Sequence, residues 1–179
     1  SDAIVYLAGY FQNAVWYSSS LPRMRAARPP AFQELISRAA TQRATVVSLR
    51  RGDYVQNGWA LPRRYYEAAF RFLGRVDGPV WVVGDDPLAN EHIATLASEM
   101  VGDVEPTPRL VDDARVNDLG LLAAASRVVM ANSTFAWWGV SLGDEPSEGT
   151  DRVVVAPSPW IAALSEAALA DPSWHTIAY

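Results

Sequence analysis

The sequence predicts an α/β protein built on a parallel sheet with flanking helices. Three observations carry that expectation. Residues 45–49, 80–83, 128–131 and 153–156 are short apolar runs rich in valine, the composition of strands buried on both faces. Amphipathic stretches lie between them, with apolar residues at helical spacing. The regular alternation of the two patterns implies parallel strands joined by helical crossovers.

In chain order, residues 18–30 carry serine, arginine and two adjacent prolines and read as a loop or linker. A short helix is expected over 32–40. The first strand, 45–49, runs into Arg50-Arg51-Gly52-Asp53-Tyr54. Residues 62–73 place Tyr66, Ala69, Phe70 and Leu73 on one helical face. The second strand ends in Gly84-Asp85-Asp86, and Asp86-Pro87 has the form of a helix start, with Asp as N-cap and Pro in the first turn. A further helix is expected to open at Asn117 or Asp118, with Leu119, Leu122 and Ala123 on its apolar face. The third strand leads into Asn132-Ser133-Thr134 and a helix over 135–142. Residues 143–150 are acidic and turn-rich, and the fourth strand precedes Pro157-Ser158-Pro159-Trp160. A Rossmann-like domain over 43–179 follows, preceded by a helical and loop segment over 1–42. No internal repeat interrupts this pattern.

The chain has 179 residues, enough for one ordinary domain, and carries a net charge of −5. That balance argues against a general nucleic-acid binder, which needs a basic footprint. It leaves room for a local basic pocket. Without cysteine there is neither a disulfide scaffold nor a Cys-ligated metal site. No apolar run approaches the roughly 20 residues that span a bilayer. Ser1-Asp2-Ala3-Ile4 lacks the basic start and apolar core of a signal peptide. It also lacks an initiator Met, as expected of a fragment or a processed chain.

Ligands of open α/β sheets sit beyond the carboxyl ends of the strands, and the first three such ends could converge on one ligand. Arg50 and Arg51 are neighbours at a strand end, so their side chains leave on opposite faces. One can face a ligand while the other braces the loop against Asp53 or Asp85. The competing reading is a surface arginine pair with Asp53 as a local salt bridge. Arginine's planar fork suits phosphate oxygens. Ser133 or Thr134 is an expected N-cap, and the same helix start offers free N–H groups to an anion. Asp118 reads as an N-cap. Asp85-Asp86 could hold a divalent cation, but a cap plus a carboxylate paired with Arg50 or Arg51 is the simpler reading. Trp137 and Trp138 read as core packing rather than sugar platforms. His92 and His175 have no metal-ligand spacing between them and receive no chemistry.

Together these segments resemble the bacterial α-1,2-fucosyltransferase family. Arg50-Arg51-Gly52-Asp53-Tyr54-Val55 is similar to its His-x-Arg-Arg-Gly-Asp-Tyr motif, with Ser48 where the family has His. Gly9-Tyr10-Phe11-Gln12, Tyr65-Tyr66-Glu67-Ala68-Ala69, Gly84-Asp85-Asp86, Asp118-Leu119-Gly120-Leu121-Leu122 and Ala131-Asn132-Ser133-Thr134-Phe135-Ala136-Trp137-Trp138-Gly139 follow in the family's order. Val155-Ala156-Pro157 with Trp160 also fits. The family's glycine-rich Gly-Gly-Leu-Gly-Asn-Gln segment has no counterpart. The chain therefore corresponds to the C-terminal, donor-binding part, and residues 1–42 to a linker or a remnant of the acceptor-side half.

The resemblance implies transfer of fucose from GDP-fucose to a sugar hydroxyl, such as that of a galactoside, with inversion. It implies the donor half of a GT-B architecture, no obligatory metal or other cofactor, and a cytoplasmic enzyme peripheral to the inner membrane. Arg50 and Asp53 would be catalytic, Arg50 on the β-phosphate and Asp53 as a base or as a brace for the arginine loop. Ser48, Arg50, Arg51, Asp85, Asp118, Asn132, Ser133, Thr134 and Phe135 would bind GDP-fucose, with Asp118 on the guanine and the Asn132-Ser133-Thr134 turn on the diphosphate. The other partner is a glycan acceptor; a second copy or a partner chain would complete the cleft. Two alternatives stand beside this: a degenerate GDP-sugar-binding module, and a transferase for another nucleotide sugar.

Overall fold

The computed structural model describes residues 20–143, 152–161 and 170–179. Five parallel strands form one sheet in the order β2-β1-β3-β4-β5. They are β1 (Thr45–Leu49), β2 (Val80–Gly84), β3 (Arg127–Val129), β4 (Val153–Ser158) and β5 (His175–Ala178). Seven helices accompany them among the described residues: α1 (Leu21–Ala26), α2 (Pro30–Ala40), α3 (Gly52–Gln56), α4 (Arg63–Leu73), α5 (Pro87–Met100), α6 (Ala114–Ala124) and α7 (Thr134–Ser141). This is the expected Rossmann-like α/β architecture.

Strand side chains alternate between faces, and the sheet sorts them into two cores. Val46, Trp81, Val83, Val128 and Val154 pack with α2, α6 and α7 through Ala39, Leu121, Leu122 and Trp137. Val47, Leu49, Val129 and Val155 pack with α4 and α5 through Tyr65, Phe70, Ile93 and Leu96. Leu121 and Leu122 are fully buried, each contributing about 1.5–3 kcal/mol of transfer free energy. Gly120 lets α2 lie close on α6, because a Cβ there would overlap Leu35.

Several expectations are corrected. Residues 21–26 within the expected loop are helical; α1 buries no residue, so it offered no apolar periodicity to read. Its Arg25 Nε donates to the Ser141 carbonyl and Arg28 Nη1 to the Leu142 carbonyl, both at 2.8 Å. Arg152 Nη1 donates to the Val140 carbonyl, so three arginines meet the C-terminal end of α7. Helix α6 starts earlier than expected: Asp113, not Asn117 or Asp118, is the cap, and its carboxylate accepts from the Arg115 and Val116 N–H groups. Asn117 is buried and instead holds the preceding loop, accepting from Leu110 N–H and donating to the Pro108 carbonyl. Strand β5 and the short α3 were not expected. Asp86 does cap α5, accepting from Ala89 N–H, and Ser133 rather than Thr134 caps α7, accepting from Ala136 N–H.

Residues 9–12 and 144–150, which carry the first family-like segment and most of the acidic turn, lie outside the described residues.

A cleft at the strand-order reversal

The chain runs from β1 outward to β2 and then returns to the other side of β1 with β3. The crevice between the carboxyl ends of β1 and β3 is therefore the switch point, where such sheets bind ligands. A cleft of about 990 Å³ opens there, lined from the three strand ends and from α6. It brings together Ser48, Arg50, Asp53, Asp85, Asp118, Ser133, Thr134 and Phe135 from the sequence-level candidates. Arg51 and Asn132 do not line it.

The strand-end loops explain this sorting. Arg50 enters the cleft with both terminal nitrogens occupied: Nη1 donates to Asp85 Oδ2 at 2.6 Å and Nη2 to Asp53 Oδ1 at 2.5 Å. Its guanidinium carbon lies 5.3 Å from the Tyr54 ring centroid. Asp85 Oδ1 accepts from the Arg51 N–H, so this carboxylate fastens the loop to the end of β2. Gly52 is required by that approach, because a Cβ there would sit 2.8 Å from Asp85 Oδ2. The expected division between arginines is thus not kept: Arg50 lines the cleft, as the resemblance implies, and is also the arginine paired with Asp53 and Asp85. Asp53 and Asp85 brace the arginine that lines the cleft, while Arg51 turns toward Asp86 at 3.7 Å.

Ser48 is buried, and its Oγ accepts from the Ala131 N–H at 2.7 Å. Main-chain pairing of β1 with β3 ends at Val47 and Val129, so this side chain adds a rung where the strands diverge. Asn132 is also buried. Its Nδ2 donates to the Trp59 carbonyl at 2.8 Å, tying the loop after α3 to the start of α7. Ser133 accepts from Ala136 N–H, and the first intrahelical bond of α7 is Trp137 N–H to the Ser133 carbonyl. The helix itself leaves the Thr134 and Phe135 N–H groups without partners, as at any helix start.

On α6, Asp118 faces the cleft half-buried. Desolvation raises its pKa above the ordinary 3.8, opposed by a hydrogen bond from Asn117 and by the charge of Arg109. A carboxylate in that condition gains from donors that a ligand brings. Among the described residues no group of three or more His, Asp or Glu gathers in a metal-holding arrangement, and no helix is long and apolar enough to cross a membrane.

Sequence reasoning missed Tyr54, Trp59, Arg115 and Trp138, all of which line the cleft. Trp137 is core, as expected, but Trp138 is only partly buried against it and faces the cleft. Tyr54 and Trp59 meet edge to face at 5.6 Å. The Asn57-Gly58 turn was a signal for a reversal that would bring Trp59 back. Arg115 lies one helical turn before Asp118, a spacing that was legible once the helix start was placed at Asp113.

The model of the family described as "Glycosyl transferase family 11" matches residues 4–178. The chain is 31% identical over 142 residues to the O-antigen biosynthesis glycosyltransferase WbnK of Escherichia coli, covering 73% of this chain and 43% of that protein. It is 26% identical over 168 residues to an alpha-1,2-colitosyltransferase of Escherichia coli, covering 87% and 56% respectively. The chain thus spans about half the length of these relatives. No solved structure matches significantly.

Proposed function

The chain belongs to glycosyl transferase family 11, and from that premise we propose that its cleft binds GDP-fucose for transfer of fucose to a sugar hydroxyl, with a galactoside and an α-1,2 linkage as the first choice. One observation carries the reading. Arg50, the start of α7 and Asp118 come from three separated segments and line one cleft at the switch point. A nucleoside diphosphate has an anionic end for the first two and, if the base is guanine, paired N–H donors for the third.

In this reading the acceptor oxygen attacks the anomeric carbon from the face opposite the leaving group, which inverts the configuration. The bond from that carbon to the β-phosphate oxygen breaks, and its electron pair leaves with GDP. Arg50 and the Thr134 and Phe135 N–H groups meet the charge that develops, the cationic work for which other transferases use a metal. Asp53 Oδ1 is held by Arg50, which leaves Oδ2 to take the acceptor's proton. The described sheet would be the donor half of a GT-B pair, completed by an acceptor-side half from a second copy, a partner or further chain.

A second donor reading rests on the relative named a colitosyltransferase: the same nucleotide carrying a different sugar. Calorimetry with GDP, GDP-fucose and UDP tests the base and the sugar together. Binding of GDP and GDP-fucose well above UDP is expected. Binding of UDP without GDP would overturn the assignment. GDP binding with no turnover across galactoside acceptors, in the completed enzyme, would make the chain a binding module.

A further inference from the structure

Arg115 is a cation of the cleft that the arginine motif does not account for. It is the second residue of α6, and its N–H is fixed by the Asp113 cap, so its root on the helix is set. Its side chain is exposed, lines the cleft and makes no ion pair among the described residues. Asp118 follows three residues later. Residues so spaced are neighbours on one helix face, about 5–6 Å apart at Cβ. Arg109 is the cation whose charge acts on Asp118, whereas the charge of Arg115 acts on the Asp113 cap; Arg115 and Asp118 both line the cleft.

We propose that Arg115 and Asp118 together select the base, Asp118 accepting from the guanine N1–H and 2-amino group and Arg115 donating to guanine O6 and N7. This rests on the donor-site reading above and adds the element that makes it specific for guanine. A carboxylate alone supplies two acceptors, whereas the guanine edge presents an acceptor beside its donors. Arginine's paired N–H groups fit O6 and N7. Adenine would turn an amino donor toward the same guanidinium, and the mismatch would reject it.

The test is an affinity series on the whole chain with guanosine, GMP, GDP and ADP, for wild type, Arg115→Ala and Arg115→Lys. Arg115→Ala removes an exposed side chain and keeps the capped N–H, so the fold is retained. It is expected to weaken guanosine, GMP and GDP by one common factor of roughly tenfold or more. ADP should be unaffected or improved, and Arg115→Lys should recover part of the loss. A loss confined to GDP would place Arg115 on the diphosphate and overturn the proposal, as would unchanged affinity for all three guanine ligands. A wild type that does not bind GDP would instead overturn the donor-site reading itself.

Discussion

The loop after β1 and the turn after β3 face each other across the same crevice, yet they meet an incoming anion in opposite conditions. Arg50 carries a full charge whose two terminal nitrogens are already bonded to Asp53 and Asp85. The start of α7 carries only partial charge, but the helix can give its first N–H groups no partner. The first is strong and engaged; the second is weak and free. Counting charges in a motif does not tell which groups a ligand can use. An anion must share or displace carboxylates at Arg50, whereas at α7 it replaces only water.

The largest expected effect comes from removing the engaged group. Arg50→Ala should weaken GDP binding by about 1.5–3 kcal/mol, the worth of a charged hydrogen bond, read by calorimetry. Unchanged affinity would mean that the carboxylates hold Arg50 out of use and that α7 binds the diphosphate without it.

A smaller effect lies in pH and concerns the far end of the ligand. Asp118 is raised above 3.8 in the free protein because burial disfavours its charged form. Guanine donors favour the charged form, so binding lowers that pKa. Guanosine affinity, free of any phosphate titration, should be flat above the free-protein pKa and fall as pH drops through it, by at most about tenfold per pH unit. Asp118→Asn should flatten the profile. For stability the sign is opposite to that of a paired carboxylate: Asp118 favours the folded state at low pH and loses that contribution as pH rises from 3.8 through its raised value.

The smallest effect separates folding from binding at α7. Ser133→Ala removes the cap and should cost about 1 kcal/mol of stability, read by denaturant unfolding, while Thr134 and Phe135 keep their N–H groups. A GDP affinity lowered as much as by Arg50→Ala would show that the serine hydroxyl, not the helix start, is the contact.

Much of the fold was legible because burial on both faces leaves a plain mark. Valine runs located β1 to β4, and Asp86-Pro87 gave the start of α5. Strand β5 has no such mark: of its four residues only Ile177 is buried, as befits a sheet edge. The start of α6 was misplaced because Asn117 and Asp118 are both N-cap residue types. A buried Asn that bonds loop atoms on both its amide groups has the same composition as a cap. At the site, residue types announced the arginines and the Ser-Thr turn. The resemblance had Arg50 on the phosphate, and the residues left Asp53 or Asp85 as the brace; that both carboxylates hold Arg50 itself depended on the loop's path. Ser48 stands where the family carries His, and what it does there, holding Ala131, follows only from the strand geometry.

The arginines at the far end of α7 give that helix a mechanical character. Arg25, Arg28 and Arg152 hold carbonyls of residues 140–142, while the other end meets the cleft. The helix is a strut with its foot anchored, so a ligand pulling on its head finds nothing to draw forward. Two of the three anchors come from the stretch ahead of β1. That stretch, which looked like a tether in the sequence, is a fastening, and a chain shortened past Arg28 would lose two of the three arginine anchors found among the described residues.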